Sequence, residues 1–147
     1  MSIKKSARRR ARELVLQGLY GWLIAPDDAQ IGLIDANLRE QEGYDKADHD
    51  LLERLLYGVI DEHGALQADI EPYLDRPVNE LSPVEYSVLM IATYELKNSL
   101  DVPYRVVLNE AVEMTKEFGG TDGFKFVNGV LDKLAAQFRS VEVKGGC

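Results

Sequence analysis

The sequence predicts an all-α protein of about seven helices, and three observations carry that prediction. Apolar residues recur at spacings of three and four through most of the 147-residue chain. Residues that start and stop helices stand where those patterns begin and end. No segment alternates in polarity for long enough to build a sheet. The length suits one domain, or two small helical halves sharing a core. An apolar content of 46% with 29% charged residues is ordinary for a soluble globular protein. No apolar run approaches the ~18 residues of a membrane span.

The first helix is expected from Ala7 to about Ile24, where Ala11, Leu14, Val15, Gly18, Leu19 and Trp22 share a face. Pro26, Asp27 and Asp28 end it. A weaker pattern through Ile31, Ile34 and Leu38 stops at Gly43. Asp45 can cap a third helix lined by Leu51, Leu52, Leu55, Leu56, Val59 and Ile60. Leu66 and Ile70 continue that pattern beyond Gly64 to Pro72, giving one long core helix or two.

"SPVE", residues 82 to 85, combines Ser82 as N-cap, Pro83 at the first helical position and Glu85 closing a capping box. Val88, Leu89, Ala92 and Leu96 form the buried face of that helix. After "SLDVP" a further helix runs from about Tyr104 to Phe118 with Leu108, Ala111, Val112 and Thr115 inward. Gly119 suits its C-terminal cap. The last helix starts near Thr121 or Asp122 and repeats Phe124, Val127, Leu131, Leu134 and Phe138, with Val130 at the edge of the stripe. Residues 1–139 thus form one helical domain, with halves at about 1–80 and 81–139, and 140–147 is expected to be a flexible tail.

Several chemistries find no support. His49 and His63 lie on the polar side of a helical pattern without a partner at metal-ligand spacing, so surface histidines are expected and no metal or cofactor site. The glycines of "FGGTDGFK" do not match a phosphate loop and follow a helix, not a strand. No acid/base pair stands out among the carboxylates, and no enzyme is expected. Cys147, the single cysteine, follows "KGG" and reads as tail. Residues 1 to 12 lack the apolar stretch of a secretory signal, which favours the cytoplasm.

Charge is unevenly placed. The formal net charge is −8, yet residues 4 to 12 hold six of the seventeen Lys and Arg residues. Without the first twelve residues, eleven cations face twenty-five acids. Arg8 and Arg12 share a helical face, with Arg9 and Arg10 rotated away in steps of about 100°. Cations at a helix N-terminus meet an unfavourable dipole of ~0.3–1 kcal/mol each, so helix stability did not place them there. One reading is a solvated charge run with an Arg9–Glu13 pair. The other is an arm for a polyanion, which counterion release would favour.

A second segment, "EFGGTDGFKFVNG" at residues 117 to 129, sets Phe118, Asp122, Lys125 and Phe126 around a glycine-rich turn. Phe124 fits the core stripe, whereas Phe126 lies about 200° away and is a candidate exposed aromatic. Free amides, a Lys and a projecting ring are components of a single-strand nucleic-acid site. The same residues also fit a plain helix turn capped by Asp122, with Phe118 as its hydrophobic contact.

"ARRRARELVLQGLYGW", "LSPVEYSVLMIATYEL", "DVPYRVVLNEAVEMTKEFGG" and "KFVNGVLDKL", taken in this order and spacing, resemble the NusB transcription antitermination family from about Lys4 to Arg139. The resemblance implies two helical subdomains that bind the boxA segment of nascent RNA together with NusE, a ribosomal small-subunit protein. It implies a non-catalytic role beside other Nus factors and RNA polymerase, suppressing premature termination on ribosomal RNA operons. By position within the motifs, Lys4, Arg8, Arg9 and Arg12 match the family's basic arm. Phe118, Asp122, Lys125 and Phe126 match its second RNA-contacting segment, and Glu85 matches a position facing NusE. The acidic remainder would limit indiscriminate RNA binding and attract a basic ribosomal protein.

Two rival readings stay open at this point, together with a homodimer of the free protein. One is the NusB-like domain of certain RNA cytosine methyltransferases, for which the chain offers no catalytic segment. The other is a helical module whose arm binds anionic membrane, although no membrane partner is expected.

Overall fold

The structure, a computed structural model, describes residues 5–25, 30–120 and 122–145. Among the described residues are eight α-helices and no strand: α1 (Ala7–Ile24), α2 (Ile31–Arg39), α3 (His49–Asp61), α4 (His63–Ile70), α5 (Pro83–Asn98), α6 (Tyr104–Phe118), α7 (Gly123–Phe138) and α8 (Ser140–Lys144). The expected all-α class is thus observed. The chain divides into two compact units, one ending at Asp61 and the next beginning at Glu62. That boundary lies earlier than the expected one near residue 80, because α4 packs on α5. Leu66 and Ile70 are fully buried, the Tyr86 hydroxyl donates to Gln67 at 3.1 Å, and Lys97 pairs with Asp69 at 2.7 Å.

In the first unit, α1 packs on α2 and α3. Ser6 caps α1, its hydroxyl accepting from the Arg9 N–H at 3.0 Å. Gly18 sits where α1 meets its neighbours: a Cβ there would lie 2.9 Å from Ile34 and 3.2 Å from Leu38. The absent side chain lets these helices approach closely. Leu51, Leu52, Leu55, Leu56 and Val59 form the buried stripe of α3. The cap of α3 is Asp48, whose carboxylate accepts from Leu51 N–H at 3.0 Å, and not Asp45, which lies in the 3-10 turn Tyr44–Lys46. A longer connection intervenes because Gly43 turns the chain with φ 91°, a left-handed conformation that favours glycine.

In the second unit, α5 is enclosed on all sides: every residue from Tyr86 to Leu96 is buried. Its sequence, "YSVLMIATYEL", is apolar around nearly the whole circumference, which is the pattern of a central helix. The capping box forms as expected, with Ser82 Oγ accepting from Glu85 N–H at 3.0 Å and Glu85 Oε1 accepting from Ser82 N–H at 3.5 Å. Helices α4, α6 and α7 pack around α5.

The carboxyl end of α5 is closed by a residue far along the chain. Arg139, buried, donates to the carbonyls of Leu96 at 2.7 Å, Ser99 at 2.8 Å, Val102 at 3.0 Å and Glu95 at 3.2 Å. One guanidinium thus gathers the carbonyls of a helix end and its following turn, two of which, Glu95 and Ser99, also accept the Ser99 and Val102 N–H groups. Glu142 completes the cluster, pairing with Arg139 at 2.7 Å and accepting from the Tyr104 N–H at the start of α6, also at 2.7 Å.

These contacts correct the expected flexible tail. Residues 140–144 form α8, which supplies Glu142; Cys147 lies outside the described residues. The stripe of α7 is also rotated from expectation. Val127, Val130, Leu131, Leu134 and Ala135 are buried, while Phe124 and Phe138 are half-buried.

Replacing Arg139 with Met keeps an apolar stem but removes the guanidinium from the buried Leu96 and Val102 carbonyls and from Glu142, while the Glu95 and Ser99 carbonyls keep their backbone donors. Arg139→Met should lower stability by ~3 kcal/mol or more in urea unfolding, and a loss below ~1 kcal/mol would contradict the capping role. The Tyr104 N–H, with a further contribution from Arg139, holds the Glu142 carboxyl below its usual pKa. A depressed folded pKa stabilises the fold above the unfolded value and loses that effect as pH falls through the folded value. Thermal melts of Glu142→Gln should therefore lie below wild type near neutrality and converge with it in acid.

Candidate nucleic-acid interface

Arg8, Arg9 and Arg10 occupy the first turns of α1, which contain no acid to offset the helix dipole. Arg8 is exposed, and Arg9 and Arg10 are half-buried. Arg10 leans toward the Gly43 turn, where a Cβ would stand 3.5 Å from its guanidinium. Lys5 is committed to Glu13, with Nζ 2.9 Å from the carboxylate. Arg12 is only 2% exposed, so it does not offer its guanidinium to solvent as its place in the motif suggested. Lys4 lies outside the described residues.

In the second unit, α6 and α7 meet at the glycine-rich turn. Gly119 N–H donates to the Thr115 carbonyl at 2.7 Å, and a Cβ on Gly119 would stand 2.7 Å from that same oxygen. With φ of −99°, it is this close approach, not a left-handed backbone, that requires glycine. Phe118 ends α6 and is 45% exposed. Asp122 holds the N-cap position of α7 but makes no side-chain cap hydrogen bond. Its carboxylate is 83% exposed and lies 3.8 Å from the 73% exposed Lys125 amine, a spacing at which both stay available to a ligand.

Phe126 is half-buried, not projecting as periodicity suggested, and the Arg76 guanidinium lies 4.5 Å above its ring. Arg76 is held there by Asp75 through contacts of 2.8 and 3.3 Å, and this pairing keeps the Asp75 carboxyl below its usual range. Sequence reasoning missed Arg76 because it lies 50 positions from Phe126, beyond any local spacing rule. Glu85 also reaches this turn: a Cβ on Gly123 would stand 2.5 Å from its Oε2. A carboxylate beside the start of α7 suits the helix dipole.

The structure thus brings Phe118, Asp122, Lys125, Phe126 and Glu85 to one end of the second unit, with the basic residues at the start of the first. His49 and His63 are exposed, and no group of His, Cys, Asp or Glu among the described residues could hold a metal ion. No helix among them is long and apolar enough to cross a membrane.

Cations, ring faces and an exposed carboxylate thus stand on helix ends in a fold that is wholly helical among the described residues. The sequence profile of the NusB family matches residues 9–136. Transcription antitermination protein NusB of Paraburkholderia phymatum is 61% identical over 140 residues, covering 95% of each chain. Its counterpart in Burkholderia vietnamiensis is 60% identical over 142 residues, covering 97% of each. The chain belongs to the NusB family of transcription antitermination proteins. Among solved structures, T. maritima NusB superposes with a TM-score of 0.77 at 30% identity, covering 90% of this chain and 92% of that one. A structure of antitermination factors NusB and NusE in complex with dsRNA gives 0.75 at 22% identity, covering 91% and 97%, and supports the fold alone.

Proposed function

We propose that this protein binds boxA-type single-stranded RNA together with NusE, and that the complex, with other Nus factors and RNA polymerase, promotes readthrough of ribosomal RNA operons without catalysis of its own. The observation that carries this reading is the α6–α7 turn, where Phe118, Asp122 and Lys125 are exposed and Phe126 lies under Arg76. Ring faces and a guanidinium plane stack on bases, lysine binds phosphate, and Asp122 can accept from an exocyclic amine. Arg8 and Arg9 supply phosphate contacts from the other unit. Arg12, being buried, is left out of the direct contacts, and Lys4 keeps its assignment from the motif alone.

The solved NusB–NusE complex named above contains double-stranded RNA. Stacking on the exposed Phe118 and on the Arg76 plane over Phe126 favours a single strand, because a duplex hides its base faces. The formal charge of −8 disfavours RNA over most of the molecule and suits a basic ribosomal partner.

Single-stranded boxA RNA should therefore bind more tightly than its duplex in a fluorescence titration. Arg8→Ala with Arg9→Ala should flatten the dependence of log K on log salt by about 0.7 per lost contact, about 1.4 for the pair. An unchanged slope would remove the arm from the interface.

Glu85→Gln tests the partner face while retaining the capping box, since Gln can make the same hydrogen bond. NusE affinity should fall in calorimetry with RNA binding by the isolated protein and the melting temperature nearly unchanged. Wild-type affinity for NusE would remove Glu85 from that face.

A further inference from the structure

We propose that the groove between α6 and α7 is a second nucleotide-binding stretch, which takes about three further bases of an RNA strand already held at the α6–α7 turn. The proposal rests on the RNA-binding reading above. The groove encloses about 600 Å³ and is lined by Tyr104, Arg105, Asn109, Phe124, Lys125 and Asn128 among others. It lies on the opposite side of α7 from Phe126, since the two phenylalanines are about 200° apart around the helix.

Its chemistry is that of a single-strand site. Phe124, placed by periodicity in the core, is half-buried, with Lys116 Nζ 4.9 Å and Lys125 Nζ 6.0 Å from its ring centroid. Toward the other end, Arg105 lies 5.8 Å from the Tyr104 ring centroid. Two rings with flanking cations give stacking surfaces beside phosphate partners. Exposed Asn109 and Asn128 each carry donors and an acceptor for base edges. Asp132, the acid in the lining, can accept from a cytosine amine.

Position and charge select the occupant. Lys125 belongs both to the groove and to the turn, so a strand leaving the turn meets the groove directly. Arg105, Lys116 and Lys125 gather at this face; Lys116 and Lys125 make only long, exposed pairs of 3.8 Å with Glu113 and Asp122, which leaves both amines able to turn to phosphate. Tyr104 to Val112 spans about 12 Å of helix, room for about three bases at ~3.4 Å each.

The test uses the full chain and boxA RNA, alone or extended by a few uridines at either end, in fluorescence anisotropy. Extension at one end should tighten wild-type binding at least ~5-fold. Phe124→Ala and Arg105→Ala should each reduce that gain, and Phe124→Trp should retain it, with affinity for unextended RNA within ~2-fold of wild type throughout. Melting temperatures establish that each variant is folded, and Arg105→Ala, at an exposed position, decides the matter if Phe124→Ala is not. No gain at either end, or a gain that survives both Ala variants, would overturn the groove assignment while leaving the turn intact. Failure of wild type to bind unextended RNA would overturn the interface and the groove together. Phe124 ring resonances that respond to NusE but not to extended RNA would make the groove a protein-docking surface and overturn the proposal.

Discussion

The second unit depends on the burial of the middle of α5, Tyr86 to Leu96. This stretch is buried while Ser82 and Pro83 at the amino end of the helix are exposed, so it is the buried carboxyl end that depends on protein partners for its carbonyls. At the amino end the solution is local, Ser82 with Glu85. At the carboxyl end it comes from Arg139, whose guanidinium reaches four carbonyls at once. Burial of Leu89, Met90, Ile91 and Leu96 contributes roughly 1.5–3 kcal/mol per side chain. That gain is retained only if the polar backbone at the helix ends is also paired.

The candidate site is tied to this framework. Glu85 serves the capping box and lies against Gly123, so the start of α5 and the start of α7 meet at one carboxylate. Thr115, buried, receives the Gly119 N–H through its carbonyl and fixes where α6 ends. Phe118, Asp122 and Lys125 are therefore held on helix ends, not on a long loop. Rigid placement lowers the entropy lost when a strand is ordered against them. Glu142 plays a similar part at the other end of α6, capping Tyr104 from α8.

Features governed by near neighbours were legible in the sequence. The span of α1, the Ser82–Glu85 box and the break at Phe118 follow from periodicity and caps within four residues. Features set by tertiary packing were not. Arg12 carries the same charge and helical face as Arg8, yet one is buried and the other exposed. The stripe of α7 is rotated toward Val130 and Ala135, which leaves Phe124 half outside and brings Phe126 half inside under Arg76. Residues 140–144 look like a polar tail until Arg139 supplies a buried partner for Glu142. In each case the deciding contact comes from a residue whose identity says nothing about distance in space. Family resemblance names the segments proposed to meet RNA; which of their side chains the packing leaves available is read only from the structure.

The proposed RNA contact draws on two segments that belong to different units, the start of α1 and the α6–α7 turn. Cations position a strand, and rings and base-edge groups read it. The most direct measurement is an amide NMR titration of the full chain with single-stranded boxA RNA. The amides of Phe118 to Phe126 in the second unit, and those of Ala7 to Arg10 in the first, should each shift as RNA is added. Absence of shifts at Phe118 to Phe126 would contradict the α6–α7 turn as an RNA contact, and their absence at Ala7 to Arg10 would remove the arm.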